Sequence, residues 1–325
     1  KFDFHTHTPA FRDTEAWQRA AGTPDEVTPA KWLLRFMTAE IDCVAVTDHN
    51  SGDWIDQLKR AYRQMEDEAR AGRPQQGFRP LAIFPGVEIS ANGGVHVLAI
   101  FDPSASTSDI DKLLGAVDYR GTKGACDGET TKSIAEVIDI VRKAGAIPIP
   151  AHADRDNGLL RINPGTRECA LSAYSVKQVL EVEGLLAVEW CDLNNPYPEA
   201  VAKHAQPLAR VLGSDCHSFR GGKAPGSHYT WVKMARPTLE GLRLALLDGN
   251  GVSIRRSDEV GSFDPYNTPP HVIRAIEIER ARCMGITQPA KIECSPYFNA
   301  IVGGRGTGKS TVVHALRLAT GREGE

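Results

Sequence analysis

The chain lacks any paired-cysteine motif. Its seven cysteines (Cys43, Cys126, Cys169, Cys191, Cys216, Cys283 and Cys294) are scattered with no C-x-x-C spacing. That argues against a disulfide framework and fits reduced thiols in a cytoplasmic protein. A run of about 18 apolar residues is also missing, so no spanning helix and no membrane partner are expected. No charged-then-apolar leader precedes the first strand. The chain opens on Lys1 and not on Met, which places the expected natural start upstream. Neither sign of charge dominates: 38 Lys+Arg against 41 Asp+Glu give a net charge of -3. This removes the global signature of a basic nucleic-acid binder while leaving room for a local patch. Internal repeats and low-complexity segments are absent. What remains is 325 residues, 41% hydrophobic and 24% charged, ordinary globular composition with room for one large domain and a smaller one.

Apolar strands alternate with helical patterns over roughly the first 250 residues. Phe2-Asp3-Phe4 reads as a strand that delivers His5-Thr6-His7, and residues i and i+2 of a strand share a face. Thr28-Pro29-Ala30 reads as a cap with proline at the first helical position. Cys43–Thr47 is a buried-type strand ending in Asp48-His49-Asn50, and Trp54–Arg70 is helical. Leu81–Phe84 is a strand running into Pro85-Gly86-Val87-Glu88. After the Gly93-Gly94 turn, Val95–Phe101 is a strand containing His96. Ser133–Ala144 is an amphipathic helix, and Ala146–Ala151 is a strand ending in His152-Ala153-Asp154. Leu185–Trp190 and Ala209–Leu212 are further strands, the latter ending in Gly213-Ser214-Asp215-Cys216-His217. Tyr229–Met234 is a last short strand, and Thr238–Leu247 is a helix closing at Gly249. Such alternation is the signature of an α/β barrel. Polar, proline-containing residues 256–270 mark a boundary. Beyond it, Val272–Cys283 reads as an amphipathic helix, and Lys291–Cys294 and Asn299–Val302 as strands.

Six of the ten histidines fall in strands or at strand ends: His5, His7, His49, His96, His152 and His217. Glu88 and Asp215 occupy the same class of position. In a parallel barrel the strand C-terminal ends converge on one face. One such histidine is ordinarily a core residue with a satisfied hydrogen bond; six on strands of one pattern point to a shared site. Imidazole and carboxylate together suit zinc, manganese or iron, and Glu88 is the natural bridging carboxylate for more than one ion.

The segments Asp3-Phe4-His5-Thr6-His7-Thr8, Val46-Thr47-Asp48-His49, Pro85-Gly86-Val87-Glu88, His96-Val97-Leu98, Ala151-His152 and Gly213-Ser214-Asp215-Cys216-His217 resemble the motifs of the PHP (polymerase and histidinol phosphatase) family, over about residues 1–250. The resemblance implies a distorted (β/α)7 TIM-like barrel over 1–255, two or three divalent ions (Mn, Zn or Fe) and phosphoester hydrolysis. By position, His5, His7, Glu88 and Asp215 would hold a first ion, Glu88, His96 and His152 a second, and His49 and His217 a third. Many members place a further histidine soon after the H-x-H pair. Residues 8–27 contain none, leaving either Asp13 or Glu15 as a substitute or the third site weak or empty. Asp48 would orient a histidine. His217 or Asp154 would serve as leaving-group acid, and Arg155, Arg161 and Arg220 flank the ligands as candidate phosphate clamps. Cys216 is expected to point away from the ligands.

Gly303-x4-Gly308-Lys309-Ser310 matches the phosphate-binding loop pattern, with a strand-like run before it and a helical run after it. Backbone N–H groups around Gly303, Gly306 and Gly308 would cradle phosphates, Lys309 would reach the terminal ones, and Ser310 and Thr311 open the helix, Ser310 ligating magnesium. The run Phe298–Gly304 resembles the first strand and loop of ABC/SMC-type ATPases, and the domain order resembles PHP–ATPase fusions of the TrlF type. Residues 256–290 would then be a linker and connecting helix, and 291–325 the start of a P-loop NTPase domain. Only about fifteen residues follow the motif, so ATP turnover is not expected of this chain alone. ATP with Mg, the rest of the ATPase domain, and a homo-oligomer formed through it would belong to the intact protein.

The function expected is metal-dependent hydrolysis of phosphoester bonds in nucleic acid or nucleotides. A small-molecule phosphomonoesterase of the histidinol-phosphate type and a non-catalytic metal-stabilised docking module are the alternatives.

Overall fold

Apolar runs in the sequence become strands buried on both faces, as strands covered by helices on one side and by their own curl on the other must be. The computed structural model describes residues 1–163, 168–248, 253–264, 270–282 and 284–321. It divides into two units, Lys1–Phe263 and Asp264–Glu325. The first runs β1 (Phe2–Thr6), α1 (Glu15–Arg19), α2 (Pro29–Thr38), β2 (Cys43–Val46), α3 (Ile55–Arg70), β3 (Ala82–Ala91), β4 (Val95–Ile100), α4 (Thr107–Ala116), β5 (Tyr119–Arg120), β6 (Glu129–Thr130), α5 (Ile134–Lys143), β7 (Ile147–Pro150), α6 (Ala173–Leu180), β8 (Ala187–Glu189), α7 (Ala202–Ala205), β9 (Ala209–Val211), β10 (Thr230–Val232), α8 (Leu239–Leu247) and β11 (Ile254–Arg256). Local chemistry sets several helix starts. Thr28 accepts a hydrogen bond from the Lys31 N–H ahead of Pro29, and Ser133 forms a capping box with Glu136 at α5.

A seven-stranded sheet has the order β11-β10-β1-β2-β3-β4-β7, and β8 and β9 form a separate parallel pair. The sheet curls, and backbone bonds join the two pieces at their ends. The Ala153 N–H donates to the Glu189 carbonyl (2.7 Å), and the Asp215 N–H to the His5 carbonyl (2.8 Å). Alternate strand residues fill two apolar clusters. Phe2, Phe4, Ala45, Phe84 and Leu98 belong to one, with Leu242 and Leu246 of α8 against them. Val44, Val46, Val87 and Val97 belong to the other, with residues of the surrounding helices. This architecture is an α/β fold compatible with a TIM-like domain.

The strands are not all parallel, contrary to the expectation. β4 runs antiparallel to both β3 and β7. β3 and β4 are joined by Asn92-Gly93-Gly94, the two glycines with positive φ, and a connection that short can return the chain only antiparallel. β3 is also longer than the apolar run Leu81–Phe84 suggested: the ladder with β4 extends it through Glu88 to Ala91. Glu88 therefore sits inside a strand and does not follow its end. Gly86 lies where a Cβ would meet the Ala99 carbonyl oxygen at 2.8 Å. β7 carries Pro148 and Pro150, which donate no backbone hydrogen bond, and it is the edge strand of its sheet.

The second unit contains β12 (Ala275–Ile278), β13 (Ala290–Glu293) and α9 (Lys309–Ala319). The helix expected over 272–283 is not formed; its middle is β12. Ile276 and Ile278 alternate with Glu277 and Glu279, a period of two. Pairing sets Ile276 opposite Ile292 and Glu277 opposite Lys291, and such cross-strand pairs outweigh a marginal helical pattern. Residues 299–302 do not form the expected strand either. Asn299 turns back on Ser295, accepting from its N–H (2.7 Å) and donating to its carbonyl (2.8 Å), and Val302 is 88% exposed. No described strand pairs with this run. Gly249, Cys283 and the Thr268-Pro269 part of the expected boundary lie outside the described residues.

Phe4 is fully buried where β1 crosses the inner cluster. Phe4→Ala is expected to lower unfolding free energy by about 3–5 kcal/mol; a urea titration giving a loss under about 1 kcal/mol would show that this strand is not core.

Candidate metal centre

Each ligand-type side chain arrives from a strand or from the residues just past its end. β1 supplies His5, and His7 follows one residue past its end. The backbone after β2 brings His49 to an isolated parallel bridge with Glu88 of β3. β4 runs against its neighbours, so its first turn of chain, and not its last, lies at this mouth and supplies His96. The residues after β7 give His152, and those after β9 give Asp215 and His217. A parallel bridge between Thr6 and Cys216 holds the 213–217 segment against β1. Glycine at 213 is required there: a Cβ would lie 2.7 Å from the His5 Cβ.

Glu88, 1% exposed, lies at the centre. Its Oε2 is 2.7 Å from His49 Nε2, 3.0 Å from His5 Nε2 and 3.7 Å from His7 Nε2. Its Oε1 is 2.9 Å from His96 Nδ1 and 3.1 Å from His152 Nε2. Asp215 Oδ1 is 3.1 Å from His7 Nε2 and 3.8 Å from His5 Nε2. The donor atoms fall into three groups that lie within 4.8 Å of one another: His5, His7 and Asp215; His7, His49 and Glu88; Glu88, His96 and His152. The structure thus brings seven of the eight expected ligands into these groups. It groups His49 with His7 and Glu88, not with His217 as expected. His217 stands at the edge, its ring centroid 4.4 Å from that of His7 and its Nδ1 bonded to the Asp215 carbonyl oxygen at 2.8 Å.

This donor set fits cations. Two carboxylate oxygens cannot serve five imidazole nitrogens by hydrogen bonding, and the buried Nδ1 atoms of His7, His49 and His152 have no partner among the described residues. The electrostatics show the same crowding. Burial alone would push the His5 pKa down, but Glu189, Glu88 and Asp215 outweigh it and raise it well above the usual imidazole value. His7, with burial and the neighbouring His5 and His217 working against its charge, falls to about 3. Burial would raise Glu88, yet His49, His5 and His96 hold it well below the ordinary carboxylate range. His152 and Asp215 carry positive φ, 29° and 50°, a conformation that costs non-glycine residues energy and concentrates at functional sites.

A further set of groups fixes the ligands. Glu189, at the end of β8, bonds His5 Nδ1 (2.9 Å) and the His152 N–H (2.8 Å); it is a buried carboxylate closing an apolar strand, the same signal that marked Glu88, and sequence reasoning passed over it. Trp32 Nε1 donates to the His7 carbonyl (2.9 Å). Asp48 accepts from the Thr8 N–H and hydroxyl, each at 2.6 Å, so it secures the chain after His7 while lying 3.9 Å from the His7 ring. Asp3 accepts from the Ser214 N–H (2.8 Å), and burial pushes its carboxyl up to about 7.

Other candidates are placed differently. Asp154 accepts from the Cys191 and Asp192 N–H groups and from Asn195 Nδ2 (2.7, 3.0 and 2.7 Å); it ties down the loop after β8 and is not aimed at the cluster. Its short polar sequence context gave no hint of those partners. Arg155 lines a cleft beside the cluster and lies 3.4 Å from Asp192. Arg161 pairs with Asp156. Asp13 lines a cleft on the other side, whereas Glu15 pairs with Arg19 on α1. Cys216 is fully buried and its thiol donates to the Ser218 carbonyl. Lys223, which carries no sequence signal, pairs with Asp215 Oδ2. In the second unit, Gly303, Gly306 and Gly308 precede α9, which opens on Lys309, Ser310 and Thr311. Lys309 Nζ donates to the Gly303 and Gly304 carbonyls, both at 2.6 Å.

No sequence-family model matches the chain, and no curated protein sequence matches it. Among solved structures it is similar to the lesion-specific endonuclease PfuEndoQ from Pyrococcus furiosus (14% identity, TM-score 0.48, covering 78% of this chain and 57% of that one). It is also similar to Endonuclease Q in complex with a 27-mer duplex bearing an abasic lesion (13%, TM-score 0.48, 75% and 55%). A third is a Bifidobacterium adolescentis protein provisionally assigned as a metal-dependent phosphoesterase (19%, TM-score 0.39, 76% and 96%). The chain spans little more than half the length of the two endonucleases.

Glu189, Glu88 and Asp215 favour a proton on His5, and a cation binding there would compete with it. Calorimetry of Mn2+ binding in buffers of different ionisation enthalpy is expected to show release of about one proton or more near pH 7; none released would contradict the placement of His5. Glu189→Gln is expected to weaken Mn2+ binding about 10–100-fold in the same titration.

Proposed function

We propose that the first unit is a metal-dependent phosphoesterase of the PHP type acting on phosphodiesters of nucleic acid or nucleotides. The observation that carries this reading is Glu88, a single buried carboxylate with imidazoles against both of its oxygens and Asp215 beside it. His5, His7 and Asp215, with Glu88, would hold one divalent ion, and Glu88, His96 and His152 a second, with His49 beside Glu88 and His217 at the rim. Mn, Zn and Fe all suit this mix of imidazole and carboxylate. Such ions, when bound, supply charge neutralisation for a phosphate and a water that ionises near neutral pH. The chain's own residues do the rest. Glu189 fixes the His5 ring and the His152 backbone, Asp48 and Trp32 fix the chain around His7, and the buried surroundings exclude bulk water from His5 and Glu88. His217, 31% exposed at its side chain and held through Nδ1 by the Asp215 carbonyl, would in its imidazolium form give the Nε2 proton to a leaving oxygen.

Clefts on both sides of the cluster favour a diester. One of about 540 Å³ and one of about 400 Å³ share His152 and Asp215 in their walls. A diester phosphorus carries a substituent on each side, and two clefts meeting at the ligands accommodate both; a terminal monoester needs only one. The sequence motif at 303–311, with its lysine curled onto the loop carbonyls ahead of a helix, supports nucleotide binding in the second unit. We extend the reading to coupling with an ABC/SMC-type ATPase in the intact protein, working on nucleic acid in repair or in defence against phage.

With Mn2+ added, the chain is expected to cleave a single-stranded oligonucleotide or bis(4-nitrophenyl) phosphate in preference to sugar and amino-alcohol phosphomonoesters. His7→Ala and Asp215→Ala are each expected to reduce kcat/KM by at least about 100-fold. Variants that turn over the diester like the parent would overturn the catalytic reading, and preference for monoesters would turn it to the histidinol-phosphate type.

A further inference from the structure

The two clefts beside the cluster differ in charge. The smaller is lined by four acids (Asp13, Glu88, Glu129 and Asp215) and by no lysine or arginine. The larger carries Arg155, Lys223 and His228. Its acids are already engaged: Glu189 with His5 and the His152 N–H, Asp156 with Arg161 at 3.0 Å, and Asp215 with His7. The larger cleft thus offers an incoming phosphate an ammonium and a guanidinium, and the smaller offers neither.

Lys223 stands where the larger cleft meets the ligands. It is carried by the connection between β9 and β10, in a stretch with Gly221 and Gly226 at positive φ (83° and 79°), and its side chain is 59% exposed. Asp215 is shared between two directions: Oδ1 faces His7, and Oδ2 pairs with the Lys223 ammonium. An ammonium has three donors. One bond to Asp215 fixes its position beside the cluster and leaves two for an incoming anion. Arg155, on the same wall, is only loosely held by Asp192 at 3.4 Å.

Building on the phosphoesterase reading, we propose that the larger cleft is the phosphate subsite and that Lys223, steadied by Asp215, is the side chain that takes the phosphoryl oxygens turned away from the metal ligands, with Arg155 at the rim.

The test compares Lys223→Met and Lys223→Arg in the full chain loaded with Mn2+. Three quantities are read: inorganic phosphate affinity by calorimetry, KM and kcat on bis(4-nitrophenyl) phosphate, and manganese content by elemental analysis. Lys223→Met is expected to weaken phosphate binding and raise KM about tenfold or more, with a smaller change in kcat and unchanged manganese. Lys223→Arg is expected to recover most of both. Phosphate bound by Lys223→Met as tightly as by the parent would overturn the proposal. So would a loss of phosphate affinity that merely follows a loss of manganese, because the lysine would then only support Asp215. A parent that binds phosphate through Lys223 but hydrolyses no ester would sink the phosphoesterase reading and leave the subsite standing.

Discussion

Glu88 is buried to 1% exposure among five imidazole nitrogens, all within 3.7 Å of its two oxygens. A carboxylate removed from water costs several kcal/mol unless compensated, and imidazoles compensate fully only when protonated or when a cation lies between them and the carboxylate. Protonating several rings this close together is opposed: burial first, and then the neighbouring imidazoles, pull His7 and His49 down, while Glu189, Glu88 and Asp215 overcome burial and raise His5. Cations resolve the conflict for all of them at once. The placement of His5, His7, His49, His96 and His152 follows from the need to surround one carboxylate from several strands.

The fold meets that need through an unusual sheet. A purely parallel curl would bring only strand C-terminal ends to the mouth. The antiparallel β4 brings its beginning there, so His96 faces Glu88 from the adjacent strand two residues out of register. Gly213 lets the segment after β9 lie directly on β1, which carries Asp215 to His7. Glu189 then joins β8 to the same centre through His5 and the His152 backbone. Backbone strain at His152 and Asp215 accompanies this convergence, and the bonds from Glu189 and to the His5 carbonyl hold both residues in place.

Much of this was legible in the residues. Largely apolar runs of three to seven residues marked β1, β2, β4 and β7, and a ligand-type side chain in or after each marked the site. Convergence across distant strands came from the barrel rule, and the motif resemblance added which ligands would share an ion. Several things escaped. Glu189 closes the short apolar strand β8, but it lies in none of the motif segments, whereas Glu88 does. The direction of β4 hung on a two-glycine turn whose consequence for His96 appears only once the ladder with β3 is drawn. In the second unit, Ile276 and Ile278 satisfied both a loose helical pattern and a strict alternation, and only the pairing with Ile292 and Lys291 decided between them. Lys223 and Asp154 owe their roles to partners more than seven residues away in sequence, which composition and period do not encode.

The bridging position of Glu88 is the claim on which the account stands, and metal stoichiometry measures it most directly. Elemental analysis of the manganese-reconstituted chain should give about two or more ions per molecule, and Glu88→Gln, which keeps the shape and removes the charge, should leave about one or none. A Glu88→Gln protein that folds and retains the parent's metal content would contradict it.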